Sequence, residues 1–326
     1  MSKFVIEDNC LIKCTAGKEA VVIPSGVKNV KYGAFDSARK ITSLELPEGV
    51  EKIDSFLFSE CKNLEAVSLP TSLKIIDHYA FLNCEGLTEV QLPNGISKIS
   101  EKTFSGCTRL ERITLPKGLI EIGKDAFSYC KKLKSIEIPM GTVTIGQNAF
   151  SRCDSLEEIE FPNSVVYLGE NLFASNKKTK RVVFPERLTT ISRGTFTFCF
   201  ALRDVTLPRD LKIIESEAFS YCSGLESIRI PSGTAIIRSR AFFSCNRLKS
   251  IFIPESVAVI EENAFKDCSK LTIYCEASER PNGWQSNWNV SNCSVVWGYK
   301  PESLEGEEAK TLDTEDVKSP NIRSTK

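Results

Sequence analysis

Eleven of the fourteen prolines share one residue class: 24, 47, 70, 93, 116, 139, 162, 185, 208, 231 and 254, each 23 residues after the last. Random placement would put about one there or none, so the period is real. A chain with such a period folds as a stack of like units rather than as separate lobes. Phenylalanine keeps the same step from Phe35 through Phe127 and Phe150 to Phe265. The copies are close enough to read by eye, as in DAFSYCKKLKSIEIP (125 to 139) and EAFSYCSGLESIRIP (217 to 231). Eleven units run from about residue 24 to 276 with no insertion or deletion.

The remaining columns say how a unit is built. Six residues after each proline stands Ile, Val or Leu without exception, and eleven after stands the Phe, usually preceded by Ala. Cys follows three residues later in nine of the eleven units. The run Leu133-Lys-Ser-Ile136-Glu-Ile138-Pro139 alternates apolar and polar, the mark of a short strand with one face inward. A single unit offers about seven apolar side chains at ~1.5–3 kcal/mol each when buried. Ordering its backbone costs roughly 1–2 kcal/mol per residue. One unit alone is therefore unstable, and only neighbours on both sides complete its burial. Like columns should stack at the strand spacing of ~4.8 Å.

Written L-x-x-I-x-[LI]-P-x-x-[VL]-x-x-I-x-x-x-A-F-x-x-C, the unit resembles the BspA-like leucine-rich repeat, a bacterial and protist variant, over about residues 1 to 300. The resemblance implies a curved leucine-rich-repeat solenoid, mostly β with short helical turns near A-F-x-x-C and one concave strand per coil. It implies binding of protein or matrix, often at cell surfaces. It supplies no catalytic residues, so none is carried over.

A solenoid needs its ends covered. FVIEDNCLIK (4 to 13) and AVVIP (20 to 24) read as two strands about Thr15-Ala16-Gly17-Lys18, a hairpin cap over residues 1–23. The coils are expected over 24–276, and a Trp-rich cap with Trp284, Trp288 and Trp297 over 277–300. Those rings suit a lid, with a sugar-stacking platform as the other reading. Residues 301–326 hold almost no large apolar side chain and read as a disordered tail. In the seventh unit Asn176 replaces Cys and Thr179 replaces Leu, either a tolerated lesion or a local hinge.

Composition closes off several functions. Lys plus Arg and Asp plus Glu each number 42, which leaves none of the positive excess that a nucleic-acid or anionic-membrane binder needs. No apolar run approaches the ~20 residues of a membrane span. MSKFVIEDNC lacks the ~7–15-residue apolar stretch of a secretory leader, so the chain reads as cytoplasmic, although one whose leader had been removed would look the same. The thirteen Cys include no C-x-x-C pair of the kind zinc sites use. Stacked, parallel Cβ vectors disfavour disulfides. Buried free thiols are expected, which suits a reducing compartment, with Cys275 and Cys293 as a bridge only if the protein is exported. No cofactor or metal is expected.

The one histidine, His78, shares a column with Tyr32, Ser55, Glu101 and Lys124, a solvent-facing position with no nucleophile aimed at it. Charged columns alternate in sign along the stack, as in Glu111, Lys134, Glu157, Lys180, Arg203, Glu226, Lys249, at every step but that from Lys180 to Arg203. Glu137, Glu158, Glu160 and Arg181 on the concave face are therefore read first as part of self-neutralising ladders, and second as a cation or glycan site. One group fits neither core nor ladder. Phe198 and Phe200 occupy mostly polar columns, Tyr221 follows Phe198 in the next unit, and Phe243 sits in a mostly Ser column. Stacked, these four rings form an exposed aromatic patch, either a contact site or a shield for the flawed seventh unit. The expected function is a non-catalytic, monomeric module that binds a protein partner over an extended surface. The alternative is a cell-surface adhesin for host matrix protein or glycan.

Overall fold

The computed structural model describes residues 3–300. The chain is a β-solenoid whose successive coils lie one repeat apart. Ser43, Leu44 and Glu45 pair in parallel with Ala66, Val67 and Ser68. The same 23-residue offset joins Glu89–Gln91 to Arg112–Thr114 and Glu158–Glu160 to Arg181–Val183. These short strands form the strand face, where every second side chain points inward. A second ladder of two-residue strands runs down another side, from Lys98–Ile99 through Glu121–Ile122 and Thr144–Ile145 to Tyr167–Leu168. Its inner residue is the invariant aliphatic six places after the proline.

The phenylalanine column is the centre of the core. All eleven rings from Phe35 to Phe265 are fully buried. Successive centroids lie 4.9 to 6.0 Å apart, and Phe127 and Phe150 stack at 5.7 Å with their planes 1° apart. Because each ring is covered by the ring above and below, the expected stacking of like columns holds along the whole body.

The A-F-x-x-C segment is a set of turns; among the described residues no helix forms there or elsewhere. Two positions per coil adopt left-handed backbone, as at Tyr79 (φ 61°) and Asn83 (φ 56°), which interrupts any helix after one turn. The amides a helix would use inward point along the stack instead. Tyr79, Phe81 and Asn83 N–H groups donate to the carbonyls of Glu101, Thr103 and Ser105 in the next coil at 3.0, 2.9 and 2.8 Å. The equivalent three bonds recur at Lys102, Phe104 and Gly106, and at Asp125, Phe127 and Tyr129.

The ends differ from expectation in detail. The N-terminal hairpin pairs Phe4–Glu7 with Cys10–Cys14, and its turn is Asp8-Asn9 rather than Thr15–Lys18. Both turn residues have positive φ (49° and 60°), which Asp and Asn tolerate and tight hairpins require. Ala20–Val22 instead forms the first rung of the long ladder, against Ser43–Glu45. At the other end the offset tightens to 22, with Ser250 opposite Thr272 and Thr272 opposite Ser294. One polar residue is missing between Leu271 and Ile273, so the expected gapless run fails in its eleventh unit, and the strand slips to keep Ile273 and Cys275 inward. Trp288 then meets Phe265 edge-on at 6.0 Å, and Trp284 Nε1 donates to the Val257 carbonyl at 2.9 Å. The three Trp rings contact one another at 4.7 to 6.4 Å, so much of their surface is taken up within the protein. The expected tail lies outside the described residues.

Candidate functional site

Phe198, Phe200, Tyr221 and Phe243 come together on the A-F-x-x-C edge. Phe198 and Tyr221 stack at 4.6 Å, Phe200 meets Phe198 edge-on at 6.1 Å, and Phe243 meets Tyr221 edge-on at 5.2 Å. The Arg240 guanidinium lies 6.0 Å from the Phe243 ring. Phe198, Phe200 and Tyr221 are 40%, 50% and 36% exposed, and Phe243 is half-buried. Phe198 and Tyr221 both occupy the left-handed position of their coils, with φ of 63° and 60°. Their amides are tied to Ser220 and Phe243 carbonyls at 3.0 and 2.7 Å, so the backbone beneath the rings is fixed. The ring contacts run from the eighth unit to the ninth and tenth, away from Asn176 and Thr179. Those two polar residues are fully buried by their own and neighbouring coils.

Glu137, Glu158, Glu160 and Arg181 lie on the strand face, on coils whose pairing is interrupted. Lys134 to Ile138 form no strand and make no main-chain hydrogen bond to either adjacent coil. The ladder ends at Arg112–Thr114 and resumes at Glu158–Glu160. The neighbouring columns behave as the sign pattern requires: Glu111 with Lys134 and Glu157 with Lys180, both at 2.8 Å, and Glu89 with Arg112 at 2.7 Å. The column of Glu137 and Glu160 does not, because it sets like charges one repeat apart. Arg181 is drawn to Asp204 at 3.4 Å. Among the described residues Glu137, Glu158 and Glu160 have no ion-pair partner. The opening leaves a cleft of about 760 Å³ over Ile113, Ile136 and Ile138, rimmed by Arg112, Glu137 and Met140. The like-charged column was readable in the sequence; the gap it accompanies was not.

All thirteen cysteines are unpaired. Eight of the nine in the repeat column donate Sγ–H to the phenylalanine carbonyl of the preceding coil, at 3.0 to 3.3 Å. Each thiol is aimed at an oxygen rather than at the next sulfur. Burial raises the Cys61 thiol to about 11 and Cys199 to about 12, and pushes Cys107 and Cys130 up as well. Low-pKa, reactive cysteines have the opposite environment. Asn176 breaks the pattern. Its Oδ1 accepts from Cys153 N–H at 2.8 Å, while its Nδ2 is enclosed without a partner. His78 stands at the surface, with Nε2 3.6 Å from Asp77. Among the described residues no three His, Cys, Asp or Glu side chains converge to hold a metal ion.

Comparison with known proteins agrees with this architecture. The model of the BspA type leucine rich repeat region matches with 6 copies, over residues 5–134, 97–226 and 189–278. No curated protein matches. Among solved structures, the chain is similar to a leucine-rich repeat protein from Bacteroides ovatus, at 25% identity and a TM-score of 0.50, covering 90% of this chain and 97% of that one. It is also similar in fold to the pneumococcal vaccine antigen PcpA, at 20% identity and a TM-score of 0.52, covering 90% of this chain and 82% of that one. With the repeat matched along nearly all of the coiled body, this chain belongs to the BspA-type leucine-rich repeat family.

Proposed function

We propose that the chain is a non-catalytic protein-interaction module, and that Phe198, Phe200, Tyr221 and Phe243 anchor its partner. The observation that carries this reading is a contiguous group of rings left exposed on a rigid, hydrogen-bonded edge. Aromatic side chains held without rotational freedom bind with little entropy to lose, and they dominate interface energies. Mutual shielding of the seventh unit is the competing explanation, and the direction of the ring contacts speaks against it. Thirteen unpaired thiols favour a reducing compartment over surface display.

The test is affinity capture from lysate of the source organism with the unaltered chain and with Phe198→Ser/Tyr221→Ser. Loss of a specifically retained protein, with the melting temperature held within a few degrees, supports the reading. A large fall in melting temperature points to shielding instead. Cell fractionation separates an internal module from an adhesin.

A further inference from the structure

A second opening in the strand face lies between Asp204–Thr206 and Ser227–Arg229, where the ladder again stops and restarts. Close to it is a cleft of about 290 Å³ lined by Arg209, Arg229, Phe252, Tyr274, Glu276 and Tyr299. Its floor follows from the repeat. Arg229, Phe252 and Tyr274 are partners in adjacent strands. Phe252 stacks on Tyr274 at 5.1 Å, and the Arg229 guanidinium lies 5.4 Å from the centre of the Phe252 ring. Tyr299, returning from the last coil, closes one side, 5.1 Å from Tyr274 and 5.6 Å from Phe252.

The hydrogen-bonding groups here are unbalanced. Arg112, Arg181, Arg238 and Arg247 all reach a carboxylate. Among the described residues Arg209 and Arg229 reach none. The acid of the lining, Glu276, accepts from the Glu255 amide at 3.0 Å. Two exposed guanidiniums therefore border one aromatic cleft with no carboxylate paired to them.

We propose that this cleft binds a glutamate or aspartate side chain of an extended segment in a partner protein. Arg209 and Arg229 donate to the carboxylate, as arginine does in planar two-point recognition. An apolar neighbour in the segment packs on Phe252 and Tyr274. Charge complementarity selects the acidic group, and the aromatic floor selects a peptide over a free anion. The site lies on a different face from the Phe198 patch and stands independently of it.

The full chain is titrated calorimetrically with acetyl-Val-Glu-Val-Glu-Val-amide, with its Gln counterpart, with inorganic phosphate, and with a peptide of residues 301–312 of this chain. The Glu peptide should bind at least about tenfold more tightly than the Gln peptide. Arg229→Gln and Arg209→Gln should each lose about tenfold, with the melting temperature unchanged. Phe198→Ser/Tyr221→Ser should leave this binding intact. Equal affinity for the Glu and Gln peptides overturns the proposal, as does no binding at millimolar peptide. Phosphate binding as tight as the Glu peptide assigns a free-anion site, and tighter binding by the 301–312 peptide assigns the cleft to the chain's own acidic segment. Either result also overturns it.

Discussion

Cys84 gives its thiol hydrogen to the carbonyl oxygen of Phe58, one coil away, across 3.1 Å. The same oxygen accepts the amide of Cys61 from its own coil at 3.2 Å. The repeat cysteine is thus more than a small apolar filler. It supplies a second donor to an oxygen that is otherwise cut off from water, and it does so at nearly every interface between coils.

The thiol column should make the protein fragile in alkali. A thiol whose folded pKa lies above its unfolded value, ~8.5, favours the folded state fully below that value and loses its contribution as pH rises through the folded one. The window here runs from about 8.5 to the range set by Cys61, about 11, and Cys199, about 12. Each buried thiol then lowers stability by about 1.4 kcal/mol per pH unit. Melting temperatures at pH 8, 9 and 10 should fall progressively more steeply, and a Cys107→Ala/Cys130→Ala variant should show a shallower fall. A flat profile would contradict the reading.

Asn176→Cys should stabilise the seventh coil. It removes the enclosed Nδ2 that lacks a partner, and it frees the Cys153 amide, now held by Asn176 Oδ1. The carbonyl of Phe150, which receives neither a cysteine amide nor a thiol, would regain both. A gain of about 1–2 kcal/mol in urea unfolding is expected.

Glu160→Lys should close the strand face between Glu158–Glu160 and the preceding coil. The substitution restores alternating charge in the one column that sets Glu137 against Glu160. The pair should resemble Lys134 with Glu111, which meet at 2.8 Å. Amide hydrogen exchange at Ser135, Ile136 and Glu137 should slow by about tenfold. Unchanged exchange would mean that charge is not what holds the ladder open.

Gly146→Ala should cost about 1–3 kcal/mol. A Cβ there would meet Lys124 N at 2.6 Å and Gly123 C at 2.7 Å, both main-chain atoms that cannot swing aside. Gly118→Ala is the control. Its nearest such contact is Asn94 O at 3.9 Å, and its effect should stay within about 0.5 kcal/mol.

The stack was legible because its causes repeat: a column of Phe can be read only one way once the period is known. The aromatic patch was legible for the same reason, since Phe198 and Tyr221 are exceptions in columns whose rule is plain. What stayed hidden depends on departures from the average coil. The left-handed positions hold Asn83, Gly106, Asp125 and Asn148, which tolerate positive φ, but also Tyr79, Phe56 and Glu60, so the signal for turns in place of a helix was diluted within its columns. The hairpin turn at Asp8-Asn9 was available to composition, but the longer Thr15–Lys18 loop read as the more obvious break. The opening beside Glu137 needed one further column to be followed. The Arg209–Tyr299 cleft has a floor from adjacent coils, but its wall, Tyr299, comes from the C-terminal cap, where the period no longer says what lies beside what.

Hydrogen bonding along the A-F-x-x-C edge and along the two-residue ladder continues across the coils where pairing on the strand face is interrupted. A body bound along two margins and cut at intervals along the third behaves as a bound book does. Its leaves keep their spacing at the binding and can fan apart opposite to it. Stretching or bending loads should therefore widen the gaps beside Ser135 and Ser227 first. A ligand wedged into either would change the pitch of the far side while leaving the rings of Phe198 and Tyr221 where they are.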